Sequence, residues 1–157
     1  MGFFPVEAGS TYRGLSFLRT CRAILARPRG AVWITAQGRF TDVRERPPRL
    51  RGGVGHLAAL MPHVAIVPLA IEFPFWNDRL PEALAHFGPL VESDGSRRNA
   101  EEWTRTIEAA LEQTQDRLAA AAMTRDATKF TTLLAGRSGI NPMYDLWQRL
   151  RGRRTSP

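Results

Sequence analysis

A run of strand-forming residues leads directly into a polar turn in the stretch Ala31-Val32-Trp33-Ile34-Thr35-Ala36-Gln37-Gly38-Arg39. Its first half is rich in β-branched and aromatic side chains, which predicts a buried strand over residues 31–35. In an α/β sheet, ligands bind at the carboxyl ends of the strands, so the turn after this strand is a candidate binding site. Gly38 would let the backbone approach an anion closely, and Arg39 could hold a phosphate with its forked guanidinium group.

The residues before this stretch predict how the strand is connected. Residues 3–7 predict another strand, and apolar residues at helical spacing before Pro28 predict a helix over 11–26. A strand, a helix and a strand in this order predict a right-handed parallel crossover. Cys21 lies on the apolar stripe of the helix and is expected to belong to the core.

The residues after the stretch predict further buried elements. The run 64–73 is almost wholly apolar, as is typical of a strand covered on both faces, and a weaker strand follows at 85–91. A short helix is expected at 53–61, where a glycine-rich segment opens an apolar run, and a long helix is expected at 99–123.

The long helix has the clearest signals of any element. Asn99 and Glu102 form a capping-box pattern at its start. Its expected packing face consists of Trp103, Ile107, Leu111 and Leu118. Together these elements predict an α/β fold with a layered, mostly parallel sheet flanked by helices. We expect a single domain over residues 1–148, followed by a basic tail at 149–157.

Charge and cysteine content narrow the class of protein. The net charge is +7, and residues 1–51 hold ten arginines against three carboxylates, so the excess lies in the first third of the chain. Such a local excess indicates an anionic partner, which could be a phosphate, a nucleic acid or an acidic membrane surface. Cys21 is the sole cysteine, which excludes an internal disulfide framework and a multi-cysteine metal site.

Four blocks of sequence occur in an order that is similar to the lysophospholipid and glycerol-3-phosphate acyltransferase family, over roughly residues 1–73. The blocks are Gly2-Phe3-Phe4-Pro5-Val6-Glu7, Gln37-Gly38-Arg39, Leu50-Arg51-Gly52-Gly53-Val54-Gly55-His56-Leu57-Ala58 and Ile66-Val67-Pro68-Leu69. They resemble, in turn, the family's Gly-x-x-Phe-Ile-x-Arg element, its Phe-Pro-Glu-Gly-Thr-Arg turn, its Lys/Arg-x-Gly helix start and its Val-Pro strand. The resemblance implies that residues 1–148 are the C-terminal part of a single acyltransferase-like domain, that is, of an incomplete glycerolipid acyltransferase domain.

That resemblance implies an acyltransferase of phospholipid and glycerolipid metabolism. The donor would be acyl-coenzyme A or acyl carrier protein, and the acceptor would be a lysophospholipid or a phosphorylated glycerol. The acceptor's phosphate is then expected at Gln37, Gly38 and Arg39, with Arg13 as a weaker candidate. The resemblance also implies a cytoplasmic protein that associates peripherally with the anionic inner face of the membrane. Neither the residues nor the resemblance requires a cofactor or a metal.

The family's catalytic His-x-x-x-x-Asp motif does not occur in this sequence. Five residues after His56, His63 and His86 stand Met61, Pro68 and Val91. Loss of a general base typically slows a reaction by about 10²–10⁴-fold. No catalytic residue is therefore assigned, and the chain is expected to be a truncated acyltransferase that is inactive alone. His56 is expected to pack against its neighbours or to cap a helix start.

Two other classes of function remain open. One is a non-catalytic relic of the acyltransferase fold that binds lipids or a membrane surface. The other is a basic nucleic-acid-binding module, which the sequence pI of about 11.1 would suit. No zinc-finger, homeodomain or RNP pattern occurs in the sequence, so no nucleic-acid partner is expected.

Overall fold

The computed structural model describes residues 11–61, 63–76, 80–92 and 98–134. The elements, in chain order, are α1 (Thr11–Leu25), α2 (Gly53–Leu60), β1 (Leu69–Glu72), β2 (Leu84–Phe87), α3 (Ala100–Met123) and a 3-10 helix (Ala127–Lys129). The three helices expected from the sequence are confirmed, each within one residue at either end. The strand expected at 3–7 and the basic tail at 149–157 lie outside the described residues.

The sheet differs from the expected one. β1 pairs with β2 in antiparallel register, from Leu69 opposite Phe87 to Glu72 opposite Leu84. An isolated antiparallel bridge between Ile66 and Val91 extends the pairing. The prediction of a layered, mostly parallel sheet is therefore wrong for the part of the chain that the structure describes. The connection over 73–83 is too short for the helical crossover that a parallel pair needs, and it suits an antiparallel pair.

The prediction of a strand at 31–35 is also wrong. The predicted parallel crossover depends on that strand and is therefore wrong as well. The segment has no regular secondary structure, and its burial alternates as in an extended chain: Val32 and Ile34 are half-buried, whereas Trp33 is 70% exposed. No strand in the described ranges pairs with the segment. Side chains that suit a strand do not make one, because a strand also needs a neighbour to complete its ladder of hydrogen bonds.

Helix α3 connects the sheet to α2. As expected, its apolar face is the packing face: Trp103, Ile107 and Leu118 are buried, and Leu111 is half-buried. Trp103 and Ile107 pack in one cluster with Ala58 of α2 and with Val91. Nearer the C-terminal end of α3, the buried cluster joins the helix to the sheet. It consists of Ala70, Leu84, Leu118 and Ala122.

Helix α1 packs against α2 through a third cluster. Cys21 is fully buried there with Leu57 and Met61, which confirms its place in the core. Burial raises the pKa of the Cys21 thiol, because the thiolate would lose its hydration. The half-buried Val32 and Ile34 pack against the same cluster and hold the 31–35 segment on α1 and α2.

The capping box that the sequence predicts at the start of α3 is present, and its contribution to stability can be tested. Asn99 Oδ1 accepts a hydrogen bond from the Glu102 N–H at 2.9 Å, and Glu102 Oε2 accepts one from the Asn99 N–H at 2.8 Å. We expect Asn99→Ala to lower the free energy of unfolding by about 1 kcal/mol, because a helix N–H loses its acceptor. Asn99→Asp keeps an acceptor oxygen and should stay close to the wild type. Urea unfolding followed by circular dichroism compares the two, and equal losses would show that the acceptor oxygen of the cap is not what stabilises the helix.

Candidate functional site

The chain reverses direction after the 31–35 segment in a tight turn over residues 35–38, called here the Gly38 turn. It is closed by a hydrogen bond from the Gly38 N–H to the Thr35 carbonyl oxygen at 3.1 Å. Gly38 has a φ of 61°, in the left-handed region that glycine adopts without strain. A Cβ on Gly38 would also lie 2.6 Å from Nε of Arg51. The φ of this position favours glycine, and the absence of a side chain lets Arg51 lie directly against the turn.

The segment that follows, residues 36–51, forms a loop closed at its neck. The Arg51 N–H donates to the Ala36 carbonyl oxygen at 2.9 Å. Beside it, Gln37 Nε2 donates to the Pro48 carbonyl oxygen at 2.9 Å and to Thr41 Oγ1 at 3.0 Å. The Gln37 amide therefore holds the two ends of the loop together, and it places the Gly38 turn next to Arg51.

Three arginines of this 36–51 loop are neutralised by carboxylates. Arg39 is paired with Glu45, and Arg44 Nη2 lies 2.9 Å from Asp42 Oδ2. The hydrogen bonds from Arg44 hold the pKa of Asp42 well below its usual range, because they favour the charged carboxylate. These two arginines form ion pairs within the loop, and the carboxylates largely cancel their positive charge.

Helix α3 holds Arg46, the third of these arginines, and the backbone of Arg49 near the end of the loop. Arg46 Nε donates to Asp116 Oδ1 at 2.9 Å. The backbone N–H of Arg49 donates to Glu108 Oε1 at 2.7 Å. Arg49 has a φ of 54°, a conformation that costs a non-glycine residue roughly 1–3 kcal/mol and persists only where the surroundings enforce it. The contact with Glu108 is one of those constraints.

Arg51 differs from the other arginines of the loop. Its side chain is exposed, and in the described ranges no carboxylate pairs with its guanidinium group. It stands directly before Gly52, the N-cap of α2, which makes no side-chain capping hydrogen bond. The first N–H groups of a helix have no partner within the helix and attract anions. Groups that can bind an anion thus lie together at Arg51, at the Gly38 turn and at the start of α2.

His56 is a further polar side chain at this end of α2. It is exposed, and a Cβ on Gly52 would lie 3.9 Å from His56 Cδ2, so the imidazole flanks the first turn of the helix. It is not part of the core, and in the described ranges it makes no capping hydrogen bond; its contact is with the helix start at Gly52. The first-turn position instead puts a second nitrogen-bearing side chain within reach of a ligand at Gly52.

The structure thus brings some of the expected site residues together. Gln37, Gly38 and Arg39 are adjacent, but Gln37 and Arg39 are engaged within the loop. Arg13 lies in the first turn of α1, and its side chain is outside the described part of the structure. Their role in binding stays a prediction. Arg51 belongs to the block that resembles the family's Lys/Arg-x-Gly helix start, but the sequence does not assign it to the acceptor site with Gln37, Gly38 and Arg39.

Two further properties concern metals and membranes. Across the described ranges, no group of three or more His, Cys, Asp or Glu side chains is arranged to hold a metal ion. Nor is any helix in that part of the chain long and apolar enough to cross a membrane.

Comparison with known proteins adds no relative to these observations. No protein-family model, no curated protein and no solved structure matches the chain.

Proposed function

We propose that the chain binds the phosphate of a glycerolipid acceptor at Arg51 and the Gly38 turn, as the acceptor-binding part of an acyltransferase of phospholipid metabolism. The observation that supports it is the position of the Arg51 guanidinium. It is exposed, has no carboxylate partner in the described structure, and lies against a glycine turn next to an uncapped helix start. A phosphomonoester would accept hydrogen bonds from both the guanidinium fork and the helix N–H groups.

The acyl-transfer part of the proposal is supported by the resemblance of the four sequence blocks. In that chemistry the acceptor hydroxyl attacks the thioester carbonyl of acyl-coenzyme A or acyl carrier protein. A base takes the hydroxyl proton as the oxygen–carbon bond forms, the carbon–sulfur bond breaks, and the leaving thiolate receives that proton and departs as the thiol. In this chain Arg51 and the Gly38 turn would orient the acceptor. The base would have to come from elsewhere, since none of the three histidines has the spacing of the family motif.

That missing motif favours a second candidate, a non-catalytic protein that binds phosphorylated glycerolipids. The two candidates share the phosphate site and differ in turnover. Release of thiol from palmitoyl-coenzyme A in the presence of lysophosphatidate separates them. Thiol release that depends on Arg51 would establish the acyltransferase, whereas phosphate binding without thiol release would establish the binding protein.

The phosphate site is tested by replacing single arginines and titrating glycerol 3-phosphate in a calorimeter. We expect Arg51→Gln to weaken binding by about 10–100-fold, which is the loss of one charge-assisted contact. Arg44→Gln is the matched control, because it removes the same charge from the same loop at a residue that Asp42 already neutralises. It should change the affinity by less than about twofold.

Two outcomes would contradict the assignment. Equal losses for Arg51→Gln and Arg44→Gln would mean that the loop attracts phosphate only through its overall charge. A loss confined to Arg39→Gln would mean that the phosphate displaces Glu45 and binds Arg39, as the family resemblance implies, and that Arg51 plays no part.

A further inference from the structure

A second basic surface lies on α1 and on the turn that follows it, outside the 36–51 loop. It consists of Arg19, Arg22, Arg27 and Arg29 and is called here the α1 basic face. All four side chains are exposed, and in the described structure none makes an ion pair. No Asp or Glu occurs between residues 11 and 41, so no neighbour in the sequence can neutralise them. The α1 basic face therefore keeps its positive charge, whereas Arg39, Arg44 and Arg46 have carboxylate partners.

The orientation of α1 is fixed by packing. Cys21 is fully buried against α2, and Leu18 and Leu25 pack around it, so the helix presents its opposite side to solvent. Leu15, Arg19 and Arg22 are spaced at i, i+4 and i+7, which puts them on one side of a helix. All three are exposed, and Leu15 is 51% accessible. The outward side of α1 thus combines an apolar side chain with two uncompensated cations.

The turn after α1 carries two further arginines. Arg27 and Arg29 follow within a few residues of the helix end, and Arg29 has a φ of 59°. Glycine or asparagine is favoured in that conformation, and an arginine there carries backbone strain. The chain therefore keeps a cation at a position where local stability alone would favour glycine.

We propose that the α1 basic face docks on an anionic lipid surface. Charge complementarity supplies the main argument, since several uncompensated arginines on one element match a leaflet of negative headgroups. Leu15 favours lipid over nucleic acid, because an aliphatic side chain among the arginines gains from burial at the acyl boundary but not from a phosphate backbone. None of its four arginines belongs to the Gly38 turn or to the start of α2, so the surface adds a membrane contact to the proposed acceptor site and does not depend on phosphate binding there.

The experiment compares two double variants of the full chain in vesicle co-sedimentation. Arg19→Gln with Arg22→Gln removes two charges from α1, and Arg105→Gln with Arg117→Gln removes two from exposed positions of α3. Vesicles of phosphatidylcholine with phosphatidylglycerol are the probe. Each basic residue at an anionic leaflet contributes about fivefold. We therefore expect about 25-fold weaker binding for the α1 pair, a change of less than about threefold for the α3 pair, and loss of wild-type binding at high salt.

Three results would overturn the proposal. Equal weakening by both pairs would show that only the net charge matters. Wild-type binding that is as strong on pure phosphatidylcholine would show that the arginines are not involved. Absence of vesicle binding, together with tight duplex DNA binding that the α1 pair abolishes, would make the partner a nucleic acid. None of these results changes what is expected of Arg51 and glycerol 3-phosphate, so the two proposals can fail separately.

Discussion

Replacing Trp103 with alanine is expected to lower the free energy of unfolding by about 3–5 kcal/mol. The indole is 3% exposed and packs in one cluster with Ala58 and Ile107 of the helices and with Val91. Truncation would remove the largest side chain of that cluster and leave a cavity between α2 and α3. Because domains of this size are stable by only about 5–15 kcal/mol, the variant should unfold at a much lower urea concentration. Circular dichroism of the helices measures the transition.

Met123→Ala is the matched control for this substitution. Met123 is the last residue of the same helix and is 78% exposed, so its truncation creates no cavity. The expected change is within about 0.5 kcal/mol. If the two variants unfolded at the same urea concentration, the apolar face of α3 would not be the packing face that the structure gives it.

The helices could be predicted because their signals are local. At α3, Asn99, Glu102 and the repeating apolar positions all lie within one continuous segment. The same holds for α1, where the apolar stripe ends before Pro28. Such signals depend on hydrogen bonds between residues three or four apart, so they need no knowledge of the rest of the chain.

The sheet could not be predicted in the same way, because its partners are distant. The apolar run 64–73 predicts a strand covered on both faces, yet only Leu69–Glu72 is a strand. In the structure, Ile71 and Phe87 remain 42% and 65% exposed. An apolar run records that side chains favour burial, but what covers them depends on strand pairing, which composition does not specify.

The candidate site also contains features that local residue types predict and contacts that they do not predict. The Gly38 turn and the helix start at Gly53 were expected from local residue types, and both occur. The pairing of Arg46 with Asp116 joins residues 70 positions apart, and no local pattern indicates it. Arg39 and Arg44 pair with carboxylates of their own loop, but which arginine meets which carboxylate depends on the conformation of the loop, which residue types alone do not specify. For this reason the sequence favoured Arg39, whereas the structure leaves Arg51 without a carboxylate partner among the described residues.

The second large effect is expected at Gly55, where α2 crosses the start of α3. Gly55 is buried, and a Cβ there would clash with the Ala100 carbonyl oxygen and with Thr104 Oγ1. Because the Ala100 oxygen belongs to the backbone, no side-chain rotation can make room, and the helices must separate. We expect Gly55→Val to lower the free energy of unfolding by about 3 kcal/mol. Urea unfolding followed by circular dichroism measures it.

Gly14→Val makes the same change in α1 and should have little effect. A Cβ on Gly14 would have no atom within 4 Å, and valine is at least as good a helix former as glycine. A change within about 0.5 kcal/mol is therefore expected, and equal destabilisation by both variants would mean that valine in a helix, not the close crossing, is at fault. Arg51 and the N-cap Gly52 directly precede the helix that Gly55 holds against α3. Under conditions where Gly55→Val is still folded, it should therefore also weaken glycerol 3-phosphate binding, while Gly14→Val should leave that binding unchanged.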